Sequence, residues 1–134
     1  ITDGESILLG HSTGNDFWDI PKGKVEENET TLDAAIRECK EEFGYDLNPG
    51  NMVEIGRFKY NKQKNIHLYL YNVKTFPELS ELECVSSFNW RGQKRYEIDQ
   101  YTVVELQNVQ DYLCKSMIKV FEKENIIKFI QELA

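Results

Sequence analysis

The stretch Gly23-Lys-Val-Glu-Glu-Asn-Glu-Thr-Thr-Leu-Asp-Ala-Ala-Ile-Arg-Glu-Cys-Lys-Glu-Glu-Phe-Gly-Tyr45 joins a charged loop to a helix-forming segment. Thr30 or Thr31 is suited to cap a helix that runs to about Phe43, and Gly44 is suited to end it. The helix would pack one apolar stripe against a sheet. That stripe consists of Leu32, Ala35, Ile36, Cys39 and Phe43.

Three glutamates occupy a different face of the same predicted helix. Glu38, Glu41 and Glu42 are spaced i, i+3 and i+4, so they are neighbours that repel one another, at a cost of a few tenths of a kcal/mol per pair. They also lie near the negative end of the helix dipole. A solvated acidic face is one interpretation. The other is a magnesium site, because Mg²⁺ prefers carboxylate oxygens and keeps waters and substrate phosphates as its other ligands.

Counted from Gly23, the stretch has the pattern G-x5-E-x7-R-E-U-x-E-E-x-G-U, where U is a bulky apolar residue. It resembles the Nudix box of the Nudix hydrolase superfamily at every fixed position. Cys39 and Tyr45 stand where an aliphatic residue is commoner. The resemblance implies a Nudix-type α/β/α sandwich, of the α/β or α+β class, with a mixed sheet and a loop-helix-loop. It also implies hydrolysis of a nucleoside diphosphate linked to another group, with Mg²⁺ or Mn²⁺.

The resemblance assigns residue roles. The carboxylates of Glu38, Glu41 and Glu42 would bind metal and serve catalysis, with Glu38 a candidate base for a water molecule. The backbone carbonyl near Lys22 and Gly23 would complete the metal shell. Four further box residues would be structural: Gly23, Glu29, Arg37 and Gly44. We expect Glu29 to pair with Arg37 and hold the loop against the helix, and Arg37 can also reach Glu41 at i+4.

Other site residues are candidates for contacts with the substrate. Lys22 and Lys24 flank Gly23 and could contact phosphate, although exposed lysines need no such role. Tyr60 lies sixteen residues after Gly44. A tyrosine at about that spacing resembles the diadenosine polyphosphate subgroup, where it is linked to adenine stacking. Packing on a strand is the alternative.

Glu97 is our candidate for a distal acid that adds a metal ligand or a catalytic base. Its competitors are Glu81, Glu83 and Asp99.

The length and pattern of the sequence predict a single domain over residues 1–134, with strands before and after the helix in sequence. We expect strands over 5–11, 52–60, 65–74 and 98–106, with a loop and one more strand within 75–95. From about Val109 the apolar residues follow a helical period, and Ile126 to Leu133 adds a further helical segment. This last segment could pack within its own domain or against a second copy of the chain, and packing within the domain is favoured. We therefore expect a monomer or a homodimer.

Composition excludes several classes of protein. The net charge of −7 argues against a strong nucleic-acid surface, although Arg91, Lys94 and Arg95 form a small basic patch. No apolar run is long enough for a membrane helix. Three widely spaced cysteines are typical of buried thiols in a reducing cytoplasm rather than of a disulfide framework.

The resemblance narrows the substrate to a small-molecule nucleotide. The run Ile20-Pro21-Lys22-Gly23 looks like the form found in dinucleoside polyphosphate hydrolases and RNA pyrophosphohydrolases. A dinucleoside polyphosphate such as diadenosine tetraphosphate is therefore the leading hypothesis. A nucleoside triphosphate, a nucleotide sugar or a capped or triphosphorylated RNA 5′ end is the alternative. A non-catalytic nucleotide-binding module is disfavoured because the box glutamates are all present.

Overall fold

The computed structural model describes all 134 residues. It contains seven strands and three α-helices. The strands are β1 (Ser6–Ser12), β2 (Trp18–Asp19), β3 (Met52–Lys59), β4 (Asn65–Tyr71), β5 (Ser87–Trp90), β6 (Gln93–Tyr96) and β7 (Ile98–Glu105). The helices are α1 (Thr31–Phe43), α2 (Lys115–Lys123) and α3 (Ile126–Leu133).

Helix α1 has the two ends that its sequence predicts. The Thr30 hydroxyl accepts a hydrogen bond from the Asp33 N–H at 3.0 Å, and the Asp33 carboxylate accepts one from the Thr30 N–H at 3.5 Å. This reciprocal capping box satisfies two amides that would otherwise lack partners. At the other end Gly44 adopts φ 65° and donates its N–H to the Lys40 carbonyl at 3.0 Å. The helix therefore begins after Thr30 and ends before Gly44, as their capping chemistry predicts.

The strand ladders are antiparallel. Strand β1 lies between β2 and β7, β3 pairs with β4, and β5 pairs with β6. Thr2 links the first two sheets, since its N–H donates to the Tyr71 carbonyl at 3.0 Å and its carbonyl accepts from the Val73 N–H at 2.8 Å. That parallel bridge, and a second one between Trp18 and Leu113, are the only parallel pairings. The mixed character of the expected sheet is confined to these two bridges.

Strand β1 separates two cores. Leu8 is fully buried against Cys39 and Phe43 of α1. Ile7 and Leu9 point to the opposite face, because successive side chains on a strand alternate. There they join a larger cluster with α2 and α3, whose buried members are Met117, Val120, Phe121, Ile126 and Ile130. Helices on both faces of the strands confirm the α+β sandwich. The burial of Ile126 and Ile130 confirms intramolecular packing of the last segment.

Two expectations about the second half of the chain were wrong. The helical period that starts near Val109 is not one helix: a 3₁₀ segment covers Leu106–Asp111, Leu113 bridges to Trp18, and α2 begins only at Lys115. Buried residues of both segments face one core, which gives the appearance of a single period. The interval 75–95 contains β5 and the start of β6, not one strand, because residues 91–92 form a tight turn with positive φ at both positions.

Several smaller features follow the sequence. Cys39 and Cys84 are buried, Cys114 is half-buried, and all three thiols are free. His67 lies on β4, stacks on Tyr69 and contacts the Glu54 carboxylate at 2.8 Å, as expected for a strand residue. No helix has the length and apolar character required to span a bilayer.

Gly44→Ala should destabilise the fold more than a positive φ alone would. A Cβ at this position would lie 2.8 Å from the Glu83 carbonyl oxygen, in addition to the strain of φ 65°. We expect the free energy of unfolding to fall by roughly 2 kcal/mol or more, measured by urea denaturation.

Gly14→Ala is the matched control. Gly14 has φ 81°, but nothing lies within 4 Å of an added Cβ, so the loss should be about 1 kcal/mol. Equal losses in the two variants would show that the contact with Glu83 does not matter.

Candidate active site

Arg37 is the centre of the charged cluster on α1. Its Nε and Nη2 donate to the two carboxylate oxygens of Glu29 at 2.8 and 3.0 Å. Its Nη1 donates to Glu38 at 2.8 Å and to Glu41 at 3.2 Å, and Nη2 also donates to the Lys24 carbonyl at 2.9 Å. The predicted pairing with Glu29 and the reach to Glu41 are both present in the structure. One guanidinium thereby joins the loop before α1 to two glutamates of the helix.

The Glu29–Arg37 pair shifts the pKa of both groups. The hydrogen bonds from Arg37 lower the pKa of Glu29 to about 2, with help from the Glu26 backbone contact. The hydrogen bond to Glu29 raises the pKa of the Arg37 guanidinium above its already high value. A bidentate guanidinium–carboxylate pair of this kind has a fixed geometry, so it is suited to position the loop.

Gly23 lies directly against the Glu38 carboxyl group, so a larger residue there would force the Glu38 side chain to move. The backbone at Gly23 lies so near the Glu38 carboxyl group that any Cβ would overlap it. The φ of Gly23 is not positive, so the reason for glycine here is the close approach and not a left-handed turn. Burial raises the pKa of Glu38, the Arg37 contact opposes this, and Glu41 and Glu97 raise it further.

Glu42 is a buried carboxylate, with a relative exposure of only 7%. Its Oε1 accepts a hydrogen bond from the Lys22 N–H at 2.8 Å, which ties the helix to the loop 20 residues earlier. Burial raises the pKa of Glu42 to about 8. The bond from Lys22 opposes that shift, while the charges of Glu38 and Glu97 add to it. The ionised form of Glu42 therefore lacks an adequate counter-charge within the protein.

Glu97 is the distal acid that faces this cluster. It contributes to the pKa shifts of both Glu38 and Glu42 and lines a cavity together with Glu42. Its carboxylate accepts from the Ser86 hydroxyl at 3.4 Å. Asp99 instead contacts His11 Nδ1 at 2.6 Å, and Glu81 and Glu83 are exposed side chains outside that cavity. The structure therefore groups Glu97, and not its competitors, with the helix glutamates.

The donor set fits a hard divalent cation. No three acidic, histidine or cysteine side chains are already gathered into a coordination cluster. Arg37 holds Glu38 and Glu41 on its guanidinium, and Glu42 turns to Lys22. However, every side-chain donor of the cluster is a carboxylate oxygen, the ligand type that Mg²⁺ prefers. A buried carboxylate beside two others is the environment in which a bound cation supplies the missing compensation.

The lysines and Tyr60 lie at the edge of the cluster. The Lys22 ammonium is 3.4 Å from the Asp19 carboxylate and 5.8 Å from the centroid of the Tyr60 ring. Lys24 is exposed. Tyr60 packs against the core and its hydroxyl lies 3.3 Å from the Cys114 sulfur, so part of its role is structural. All three side chains nevertheless line one cavity of about 830 Å³ between α1 and the β3–β4 pair.

A second cavity lies on the other side of Lys22. It has a volume of about 600 Å³, and Lys22 and Ile20 line both cavities. Its wall includes acidic residues of the cluster and a basic-aromatic group from the β5–β6 hairpin. These are Asp19, Glu42, Glu97, Phe88, Trp90 and Arg95. The two cavities therefore share Ile20 and Lys22 in their walls, and Glu42 lines the second cavity.

Sequence reasoning did not identify some of these residues. Asp19 is 6% exposed and lies next to Lys22; burial raises its pKa and Lys22 opposes the shift. Its spacing of three residues from Lys22 is the only signal in the sequence. Trp90 and Phe88 gave no functional signal because aromatic residues on a strand are usually core residues.

The chain is similar to several known proteins over most of its length. The NUDIX domain model matches residues 1–122. An uncharacterised 17.7 kDa protein of Enterobacteria phage T4 is 31% identical over 131 residues, covering 90% of this chain and 87% of that protein. The m7GpppN-mRNA hydrolase of Saccharomyces cerevisiae is 32% identical over 115 residues, which are 86% of this chain but only 11% of that enzyme.

Two further matches cover more than four fifths of both chains. The asymmetrical bis(5′-nucleosyl)-tetraphosphatase of Mus musculus is 28% identical, over 84% of this chain and 82% of that enzyme. A solved structure of a C. elegans Ap4A hydrolase binary complex superimposes with a TM-score of 0.59 and 20% identity, over 92% of this chain and 87% of that one. The chain belongs to the NUDIX domain family and is a Nudix pyrophosphohydrolase, as the box between Gly23 and Tyr45 indicates.

The stability of the metal-free protein should fall as pH rises from about 4.5 to about 8. The pKa of Glu42 is raised in the folded state, so folding favours its protonated form. That contribution is fully present below the unfolded pKa of about 4.5 and is lost as pH rises through about 8. In EDTA, we expect Glu42→Gln to reduce this fall in the free energy of unfolding by up to a few kcal/mol. The measurement is urea denaturation at several pH values between about 4.5 and about 8.

Glu41→Gln is the control, because it removes a carboxylate from the same helix turn at a side chain that is 38% exposed. It should leave most of the decline in place. An identical flattening in both variants would show that net charge, and not the burial of Glu42, sets the pH dependence.

Proposed function

We propose that this protein hydrolyses a pyrophosphate bond in a dinucleoside polyphosphate, such as diadenosine tetraphosphate, with Mg²⁺ or Mn²⁺. Glu38, Glu41, Glu42 and the distal Glu97 are the acids that would hold the cation and the attacking water. The observation that supports this most directly is the buried, uncompensated Glu42 between Glu38 and Glu97. A non-catalytic module has no need to bury such a charge, since doing so costs stability.

The residues have separate roles in the proposed reaction. A divalent cation held by Glu38, Glu41 and Glu42 would neutralise phosphate charge and would make water beside it easier to deprotonate. Arg37 positions Glu38 and Glu41 through its hydrogen bonds, and Glu29 positions Arg37. Glu38, which the Gly23 backbone confines, is the candidate base that takes the proton from water. The Lys22 amide holds Glu42 toward the site, while the side chains of Lys22 and Lys24 are available to phosphate oxygens.

Two findings favour a dinucleotide over a simple triphosphate, and the size of the larger cavity is compatible with either. The loop Pro21-Lys22-Gly23 and the position of Tyr60 resemble the dinucleoside polyphosphate subgroup. The mouse relative, aligned over most of both chains, is named as a bis(5′-nucleosyl)-tetraphosphatase. The cavity beside Lys22, Lys24 and Tyr60 has about 830 Å³, within the range that small-molecule ligands occupy. An RNA 5′ end is the second candidate, favoured by the yeast relative that hydrolyses m7GpppN-mRNA.

A panel of substrates with Mg²⁺ should show the highest kcat/KM for diadenosine tetraphosphate. We expect the activity to disappear in EDTA and to return with added Mg²⁺, because the site has only carboxylate donors. The panel should include ATP, a nucleotide sugar and a short 5′-triphosphorylated RNA, with products separated by chromatography. Equal or faster turnover of ATP would contradict the substrate assignment while leaving the metal chemistry intact.

Among the acidic residues, the role proposed for each side chain should decide the effect of its substitution. Glu42→Gln and Glu38→Gln should lower kcat at least 100-fold, since a positioned base and metal ligands contribute factors of that size. Glu97→Gln should lower kcat by a smaller factor, roughly ten-fold. Asp99→Asn should leave kcat unchanged because Asp99 pairs with His11 outside the cavity.

These variants are compared by steady-state kinetics at saturating Mg²⁺. If Glu42→Gln retained both activity and Mg²⁺ binding, the catalytic assignment of the helix would be wrong. If Asp99→Asn were as damaging as Glu97→Gln, the choice of distal acid would be wrong.

A further inference from the structure

The β5–β6 hairpin has two faces of different chemistry. Cross-strand partners in an antiparallel pair lie on the same face, and the faces alternate along each strand. Phe88 pairs with Arg95 and Trp90 pairs with Gln93, so these four side chains share one face. The other face carries Asn89 and Lys94, together with Ser87 and Tyr96.

Only one of these faces borders the carboxylate site. Phe88, Trp90 and Arg95 line the 600 Å³ cavity together with Glu42, Glu97 and Lys22, whereas Asn89, Lys94 and Tyr96 do not. The aromatic rings on this wall are not core residues, because Phe88 is 36% exposed and Trp90 is 45% exposed. Two large aromatic side chains and a guanidinium thus face the site without being buried by the protein itself.

The hairpin is fixed in place by bonds to the catalytic helix. The Val85 N–H donates to the Glu41 carbonyl at 2.7 Å, and the Ser86 N–H donates to the same oxygen at 3.3 Å. At the base of the hairpin the Glu97 N–H donates to the Ser86 carbonyl at 3.1 Å. The position of the aromatic wall relative to Glu41 and Glu97 is therefore set by main-chain hydrogen bonds.

The charge of the wall complements a nucleotide. In a chain of net charge −7, the hairpin contains Arg91, Lys94 and Arg95 and no acid between Ser87 and Tyr96. The Arg91 and Arg95 guanidiniums lie 4.3 and 5.4 Å from the centroid of the Trp90 ring. These contacts cover part of the indole, and Trp90 is still 45% exposed. Thr13 lines the same cavity, and its hydroxyl is the one buried side-chain oxygen or nitrogen that has no hydrogen-bond partner.

We propose that the Phe88–Trp90–Arg95 face of the hairpin binds the second nucleoside of a two-base substrate. This inference rests on the proposed function. One nucleoside occupies the larger cavity, near Tyr60 and Lys24, and the polyphosphate passes Lys22 and the carboxylates. The second base stacks on Trp90, and Arg95 contacts the phosphate next to it. These residues therefore determine specificity for dinucleotides, and they take no part in bond cleavage.

The test compares diadenosine tetraphosphate with adenosine 5′-tetraphosphate, which has the same phosphate chain but lacks the second nucleoside. Removing a stacking aromatic weakens binding of the stacked base on the order of ten-fold. With Mg²⁺ present, Trp90→Ala should raise KM for diadenosine tetraphosphate on the order of ten-fold and leave kcat unchanged. KM for adenosine 5′-tetraphosphate should not change. Trp90→Phe should restore most of the loss, since a ring is retained.

Lys94→Ala is the matched control for Arg95→Ala. Both remove one positive charge from the same strand, but Lys94 lies on the face away from the cavity. Arg95→Ala should raise KM for diadenosine tetraphosphate several-fold, and Lys94→Ala should not. Equal effects of the two variants would indicate a general charge effect and would overturn the assignment of Arg95.

The outcomes separate the two proposals. If the wild-type enzyme cleaves diadenosine tetraphosphate efficiently but Trp90→Ala leaves its KM unchanged, the hairpin assignment is overturned and the proposed function stands. If the wild-type enzyme cleaves adenosine 5′-tetraphosphate and not the dinucleotide, the proposed substrate fails and the hairpin assignment fails with it. A third outcome is a lower KM for a short triphosphorylated RNA than for diadenosine tetraphosphate, together with a rise of that KM in Trp90→Ala. This result would assign the wall to RNA and overturn the dinucleotide proposal.

Discussion

The hydrogen bonds of Arg37 are the interaction on which the site depends. Helix α1 places several like charges together, an arrangement that is unfavourable on an isolated helix. Arg37 offsets that repulsion by donating to Glu38 and Glu41 from one nitrogen, while Nε and Nη2 hold Glu29. Because Nη2 also reaches the Lys24 carbonyl, the same side chain fixes the loop that precedes the helix. The single Arg37 guanidinium thus connects the loop, the helix and the acidic residues.

Burial of Glu42 is the second constraint, and it links stability to chemistry. A carboxylate that is 7% exposed and has a pKa near 8 is costly to ionise in the folded protein. Its one hydrogen bond, from the Lys22 amide, compensates only part of this cost. The protein tolerates the cost because the rest of the fold is well packed on both faces of β1. A divalent cation at this point would benefit from the same environment, since charge interactions are stronger away from water.

The site lies where chain segments that are far apart in sequence meet. Lys22 comes from the loop before α1, Glu42 from the end of that helix, and Glu97 from the segment between β6 and β7. The backbone bonds from Val85 and Ser86 to Glu41 attach the β5–β6 hairpin to the same helix end. This arrangement gives the protein two cavities that have Lys22 in both walls. It is the physical basis for proposing a substrate that extends in both directions from the scissile bond.

The sequence by itself determined the features that depend on local spacing. Thr30 and Gly44 define the ends of α1 through capping, and the spacing of Glu29, Arg37 and Glu41 predicts the ion pairs that the structure contains. Only the tertiary structure decided that Glu42 is buried while Glu41 remains half-exposed, although both belong to one acidic face. Only the tertiary structure placed Glu97 rather than Asp99 beside the helix, and it turned Trp90 toward the cavity. These features depend on contacts between residues that are tens of positions apart in the sequence. Helical and strand periodicity show which face of an element is apolar, but they do not show which distant segment packs against that face.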